Sequence, residues 1–211
     1  MRLHGYWRSG TAYRIRIALN LKGLGFEQAT HDLRTGAQRA DAYRALNPQG
    51  LVPALETDGA VLTQSPAILE WLEERYPDPP LLPVDPNDRA QVRAMAALIA
   101  CDVHPLNNMR VLDALRRDFG AEDAAVKRWI ACWIGDGFAA LEPAVARHGR
   151  GFAWGDQPTV ADCCLVPQLY SAERFGVDLS PYPALVAAGE RARALPAFAA
   201  AHPDAQPDAD R

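Results

Sequence analysis

Lysine is nearly missing from this chain: of 22 basic residues, only Lys22 and Lys127 are not arginine. Net charge is −4, with nine basic against nine acidic side chains in residues 1–80 and 13 against 17 beyond them. No basic block stands out, which argues against the electrostatic footprint of a nucleic-acid binder. No apolar run is long enough to span a bilayer, and Met1–Arg8 lacks the apolar region of a secretory signal. The expectation is a cytoplasmic protein with no membrane partner. Cysteine is scarce too. Cys101, Cys132, Cys163 and Cys164 form no Cys-x-x-Cys pair and sit among helix formers, so free thiols are expected in place of disulfides or metal ligands. Metal-ligand spacing is absent elsewhere, and no metal is expected. The chain that remains, 211 residues with 49% apolar and 23% charged, has a globular balance and room for one large or two small domains.

The stretch from Tyr6 to Arg14 organises what is present. Arg2–Tyr6 has strand character, and Arg14–Lys22 reads as a helix closed by Gly23. Ser9, Gly10 and Thr11 therefore sit where a helix begins. Unpaired N–H groups and the helix dipole favour an anion there, although two hydroxyls at that place also suit an ordinary N-cap. A second strand follows over Phe26–Ala29, then a polar loop, Asp32–Arg39, and a short helix over Ala40–Leu46. Leu51–Glu56 and Val61–Thr63 form a hairpin about Asp58-Gly59. Pro53 makes the first of these strands an edge or bulge, or else forms a cis bond that exposes the Val52 main chain. Ser65 and Pro66 open a helix over Ala67–Arg75, with Ser65 as its cap.

Residues 76–87 hold five prolines and read as a linker. Beyond it every periodic segment is helical. Asp88–Leu115 reads as helix that Pro105 should kink or break near Asp102–His104, and Ala121–Ala146 is a second long helix. Thr159 and Asp162 form a capping box that opens a helix through Tyr170. Two short helices lie around Leu185 and Phe198, and the tail from His202 reads as disordered.

This order of segments resembles the glutathione transferase architecture over essentially the whole chain. The matching motifs are Trp7–Leu19, Asn47-Pro48 with Leu51–Leu55, Gln64-Ser65, and Thr159 with Asp162. The implied fold is an α/β thioredoxin-like N-terminal domain (1–80) followed by an all-α C-terminal domain (87–205). More narrowly, Arg8-Ser9 with Arg14–Leu19, Cys101–Asn108 and Glu173–Pro183 are similar to the zeta class. The zeta pattern reads Ser-Ser-Cys where this chain has Ser9-Gly10-Thr11, so no cysteine is essential at the turn.

The resemblance implies glutathione as a regenerated cofactor. The implied reaction is cis–trans isomerisation of a maleyl diketo acid, maleylacetoacetate or maleylpyruvate, in aromatic catabolism. Ser9 and Thr11, beside Gly10, would stabilise the glutathione thiolate. Gln64 and Ser65 would hold the γ-glutamyl end, the Val52 main chain the cysteinyl unit, and Gln38 the glycyl end. A homodimer is implied, in which Asp102, His104 and Asn108 of one copy reach the peptide bound to the other. For His104 the other reading is an ordinary polar residue at the proline kink. Arg8, Arg110 and Arg174 are candidate grips for the substrate's carboxylates, since forked guanidinium donors match planar anions; each alone also suits a solvated surface. Two rival readings are a transferase that consumes glutathione by conjugation, and a non-catalytic interaction module. The second would have no need to keep Ser9, Gln64 and Ser65.

Overall fold

The computed structural model describes residues 1–210. Met1–Leu81 and the residues from Arg193 on form one compact unit, and Leu82–Ala192 form another. In the first unit, strands β1 (Arg2–Gly5), β2 (Glu27–Thr30), β3 (Ala54–Thr57) and β4 (Ala60–Thr63) make one mixed sheet in the order β2-β1-β3-β4. β1 runs parallel to β2 and antiparallel to β3. A parallel pair needs a crossover, which α1 (Gly10–Leu21) supplies. The β3–β4 hairpin turns on Asp58 and Gly59, both at positive φ, where a two-residue hairpin loop needs them.

Ala12, Ile15, Ile17, Ala18 and Leu19 of α1 are buried with Leu3 and Leu55 of the sheet. Tyr43 of α2 (Asp41–Leu46) and Ile68, Leu69 and Leu72 of α3 (Ser65–Arg75) are buried as well. Each buried leucine or isoleucine among them stabilises the fold by about 1.5–3 kcal/mol. A polar network lies beside them: the buried His4 ring bonds Glu56 through Nε2 and His31 through Nδ1.

Three expectations are corrected in this unit. The first helix, read from Arg14, starts already at Gly10, so Gly10 and Thr11 lie in its first turn and Ser9 is its N-cap. The strand expected from Leu51 begins only at Ala54, because the Leu51 carbonyl accepts from Tyr43 Oη and Asn47 Nδ2; of the alternatives for Pro53, the Val52–Pro53 bond is cis. The tail is ordered from His202 to Asp210. Residues Pro203–Ala205 form a 3-10 turn, and Gln206 Nε2 donates to the carbonyls of Ala200 and His202. Asp208 Oδ2 then accepts the Trp7 N–H at 3.0 Å.

The expected second domain, 87–205, also differs from the observed division at its end. From Arg193 the chain returns to the first unit. Here α9 (Pro196–Ala201) packs on α1, with Arg16 Nε donating to Ala201 O and Asn20 Nδ2 to Ala197 O.

The second unit is helical. Of the kink or break expected within 88–115, the structure has the break. α4 (Pro86–Ala97) passes into a π turn, Leu98–Val103, then a 3-10 turn, His104–Asn107. Asn108 then caps a new helix, α5 (Met109–Phe119). α6 (Asp123–His148) lies close against the π turn: a Cβ on Gly137 would come within 2.2 Å of Val103. Trp129 Nε1 donates to Leu106 O, holding the 3-10 turn to α6. α7 (Val160–Phe175) opens with the expected capping box. The Glu142 carboxylate accepts the Ala184 and Leu185 N–H groups at the head of α8 (Pro183–Arg193). No helix among the described residues is long and apolar enough to cross a membrane.

Candidate active site

Ser9 is the N-cap of α1. Its extended backbone, φ −69° and ψ 116°, turns Oγ back to accept the Ala12 N–H at 3.2 Å. Ser9 Oγ also lies 3.0 Å from Thr11 Oγ1, which donates to the Val52 carbonyl at 3.0 Å. A hydroxyl carries one proton, and Thr11 has committed its own to a carbonyl that can only accept. The chain is therefore directional: Ser9 O–H donates to Thr11, and Thr11 O–H donates to Val52. Around it, the N–H groups of Gly10, Thr11 and Val52 have no acceptor among the described residues. The turn is thus both an N-cap and an open set of donors suited to an anion or a peptide main chain.

The loop that carries Val52 is tied down by the two donors on Leu51 O. Burial pushes the Tyr43 phenol up to about 12, so it remains a donor through the neutral range.

A second donor set heads α3. Ser65 is not the cap that the spacing predicts. Gln64 is the N-cap, without a side-chain bond, and Ser65 is the first helical residue. Gln64 sits at φ +67°, a sparsely populated region for a residue with a Cβ, of the kind that clusters at ligand clamps. Its Nε2 donates to Gln49 Oε1 at 2.6 Å. Among the described residues the N–H groups of Ser65 and Ala67 have no acceptor, and Pro66 has no N–H. Ser65 Oγ, 3% exposed as a residue, accepts from Arg14 Nη1 of α1 at 3.3 Å. Gln38 is buried on the 3-10 turn Ala37–Arg39, with Oε1 unpartnered.

Hydrogen bonds thus join Ser9, Thr11 and Val52, with Gly10 in the same turn, and couple Ser65 to α1. Gln49 and Arg14 are absent from the sequence-based set. Gln49 lies within Asn47–Gly50, which reads only as turn chemistry. Arg14 is an arginine inside an apolar helical run, and that misplacement was the one signal available.

Arg8 adjoins the Ser9–Thr11 turn, its guanidinium 5.0 Å above the Trp7 ring and without a carboxylate partner among the described residues. The other candidates belong to the second unit. Asp102 is exposed on the π turn and His104 is half-buried on the 3-10 turn. Asn108 Oδ1 caps α5 by accepting the Arg110 N–H, and the Arg110 side chain is exposed. Arg174 is exposed near the end of α7, its guanidinium 4.4 Å from the Phe175 ring centroid. No group of His, Cys, Asp and Glu among the described residues has the arrangement to hold a metal ion. A cavity of about 620 Å³ lies at the far end of the strands from Ser9. Glu27, Glu56 and Asp58 line it, which makes it a poor seat for a carboxylate ligand.

The glutathione S-transferase N-terminal domain profile matches residues 8–75. A maleylpyruvate isomerase of Ralstonia sp. is 53% identical over 211 residues, 99% of each chain. The solved holo structure of a maleylpyruvate isomerase, described as a bacterial zeta-class glutathione transferase, superposes with a TM-score of 0.97 at 52% identity. That match covers all of both chains. A maleylacetoacetate isomerase from Methylobacterium extorquens AM1, solved with malonate and glutathione bound, gives a TM-score of 0.95 at 40% identity, again over both whole chains. With a thioredoxin-like sheet, a helical second unit and these relatives over its whole length, the chain belongs to the zeta class of the glutathione transferase family.

Proposed function

We propose that this chain is a glutathione-dependent cis–trans isomerase of a maleyl diketo acid, maleylpyruvate or maleylacetoacetate. The observation that carries the reading is the directed hydroxyl chain at the head of α1, beside the unpaired Val52 N–H. A free thiol titrates near about 8.5, and lowering that by about two units takes roughly 2.7 kcal/mol of preference for the thiolate. A helix N-terminus and one hydroxyl donor supply energies of that order. When glutathione binds, the Ser9 O–H turns from Thr11 Oγ1 to donate a hydrogen bond to the thiolate, and Thr11 keeps its own hydrogen bond to Val52 O.

The thiolate adds to the conjugated cis double bond, forming a carbon–sulfur bond and moving the electron pair onto the adjacent carbonyl oxygen as an enolate. The former double bond is now single and rotates. Collapse of the enolate expels the thiolate and leaves the trans isomer, so glutathione is returned. Gln64, Ser65, Gln38 and the Val52 main chain hold the peptide, and Arg8, Arg110 and Arg174 grip the diacid. The chain acts as a cytoplasmic homodimer, in which Asp102, His104 and Asn108 reach the peptide bound to the second copy. Four free cysteines, two of them exposed, support a reducing compartment.

The test supplies each diacid with glutathione at a small fraction of its concentration. Many turnovers with total thiol unchanged are expected. Stoichiometric loss of thiol would make the chain a conjugating transferase. Arg8→Met, Arg110→Met and Arg174→Met should each lower kcat/KM for the diacid about 10- to 150-fold. The loss should be smaller for an uncharged electrophile conjugated at the same thiol. Equal loss on both would remove the arginines from substrate binding.

A further inference from the structure

Two histidines face each other beside Tyr43 of α2, and only one proton fits between them. His4 Nδ1 lies 2.9 Å from His31 Nε2, and His4 Nε2 bonds the Glu56 carboxylate, which can only accept. His4 therefore carries a proton on Nε2. Either its Nδ1 is bare and accepts from His31, or its Nδ1 is protonated and donates to a bare His31 nitrogen. Both states leave a single proton on the line between the rings. A second would set two imidazolium N–H groups against each other at hydrogen-bond distance.

The surrounding charges do not relieve that conflict. Glu56 of β3 is already spent on His4, which holds its carboxyl below the usual carboxylate range, so it stays ionised into mild acid. Arg2 of β1 adds positive potential, and Glu27 of β2 is paired with Arg2. Asp32, next along the chain from His31, is tied to Arg34. Burial above all, then His4 and Arg2, holds the His31 imidazole below the ordinary histidine value of about 6.5. The paired arrangement is thus present above that value and is lost as pH falls through the lowered one. His4 is 4% exposed within β1, whereas His31 is half-buried just after β2, so His31 is the ring that can turn to water.

What it leaves behind is Tyr43. The His31 ring lies 4.2 Å from the Tyr43 ring, centroid to centroid, and the His4 ring 5.7 Å. Tyr43 Oη holds the Leu51 carbonyl at 2.6 Å, and the next residue is Val52, whose N–H has no acceptor among the described residues. We infer that Tyr43, with the His4–His31 pair behind it, is a positioning residue for the Val52 main chain, and that a second proton on the pair loosens this loop and weakens peptide binding in acid. The inference rests on glutathione being the ligand, as proposed above.

The probe is S-methylglutathione, which keeps the peptide and has no thiol to titrate, so thiolate formation at Ser9 drops out of the measurement. Its Kd, by calorimetry, should rise about 2- to 12-fold from about pH 7.5 to about pH 5, the equivalent of one neutral hydrogen bond. His31→Gln supplies an Nε2 donor that does not titrate, and should flatten the profile at the neutral-pH affinity. Tyr43→Phe should flatten it at the weaker affinity, with the Asn47 bond to Leu51 remaining. In the wild type, the His31 ring signals should titrate at lower pH with the probe bound, by the same factor, because linkage is reciprocal; this arm stands even if the variants do not fold. A flat wild-type profile, an unchanged profile in either variant, or a His31 titration indifferent to the probe would overturn the inference and leave the cofactor reading intact. Failure of wild type to bind either glutathione or the probe at about pH 7.5 would instead overturn that reading.

Discussion

One proton separates the work of Ser9 from that of Thr11. Ser9→Ala should raise the apparent pKa of the bound thiol by about 1–2 units, the share one charge-assisted donor supplies. Thr11→Val should move that pKa less and weaken glutathione binding more, because it frees the Val52 loop; Thr11→Ser should restore both. Titration of thiolate absorbance in the three variants checks this, and the reverse ranking would make Thr11 the donor. Both hydroxyls were legible from their place before a helical run. The direction of the chain was not, because it depends on a carbonyl 41 residues away. Arg14 shows the same limit. Its partner Ser65 lies 51 residues on, and local pattern carries no trace of the pairing.

At the scale of elements, the capping box at Thr159 and Asp162 was readable because its partners lie three residues apart. Asp162 is fully buried and accepts from the N–H of Ala153, the N–H of Thr159 and Thr159 Oγ1. Burial pushes its pKa up to about 6 against the pull of those donors, so at neutral pH it is ionised and accepts all three. Asp162→Ala strands two buried N–H groups and should cost about 2–5 kcal/mol, read as a lower denaturant midpoint with unchanged slope. A loss below about 1 kcal/mol would mean that water replaces the carboxylate. The break between α4 and α5 was half legible. Pro105 marks the place, but the π turn and the fresh start at Asn108 are set by packing of Val103 against Gly137 and by the Trp129–Leu106 bond. Neither contact leaves a mark on the sequence of 88–115.

At the scale of the whole molecule, the tail is where pattern reading failed. Polar, proline-bearing residues suggest disorder, yet Gln206 bonds Gln28, Asp208 takes the Trp7 N–H and Asp210 pairs with Arg34. Ending the chain after Ala205 should lower Tm by roughly 2–10 °C, from about 1–3 kcal/mol of lost hydrogen bonding. It should also weaken glutathione, because Trp7 leads directly into the Arg8-Ser9 turn. Unchanged affinity with a lowered Tm would confine the tail to a stabilising role. The return of the chain from Arg193 has a consequence for biosynthesis. Within this chain β1 and α1 are made well ahead of the carbonyls that satisfy Arg16 and Asn20, which lie 185 and 177 residues further on. At about 5–20 residues per second, the nascent first unit waits on the order of 10–40 s for its closing helix. Throughout that time a buried arginine and the α9-facing side of α1 are open to whatever chaperone or neighbouring nascent chain reaches them.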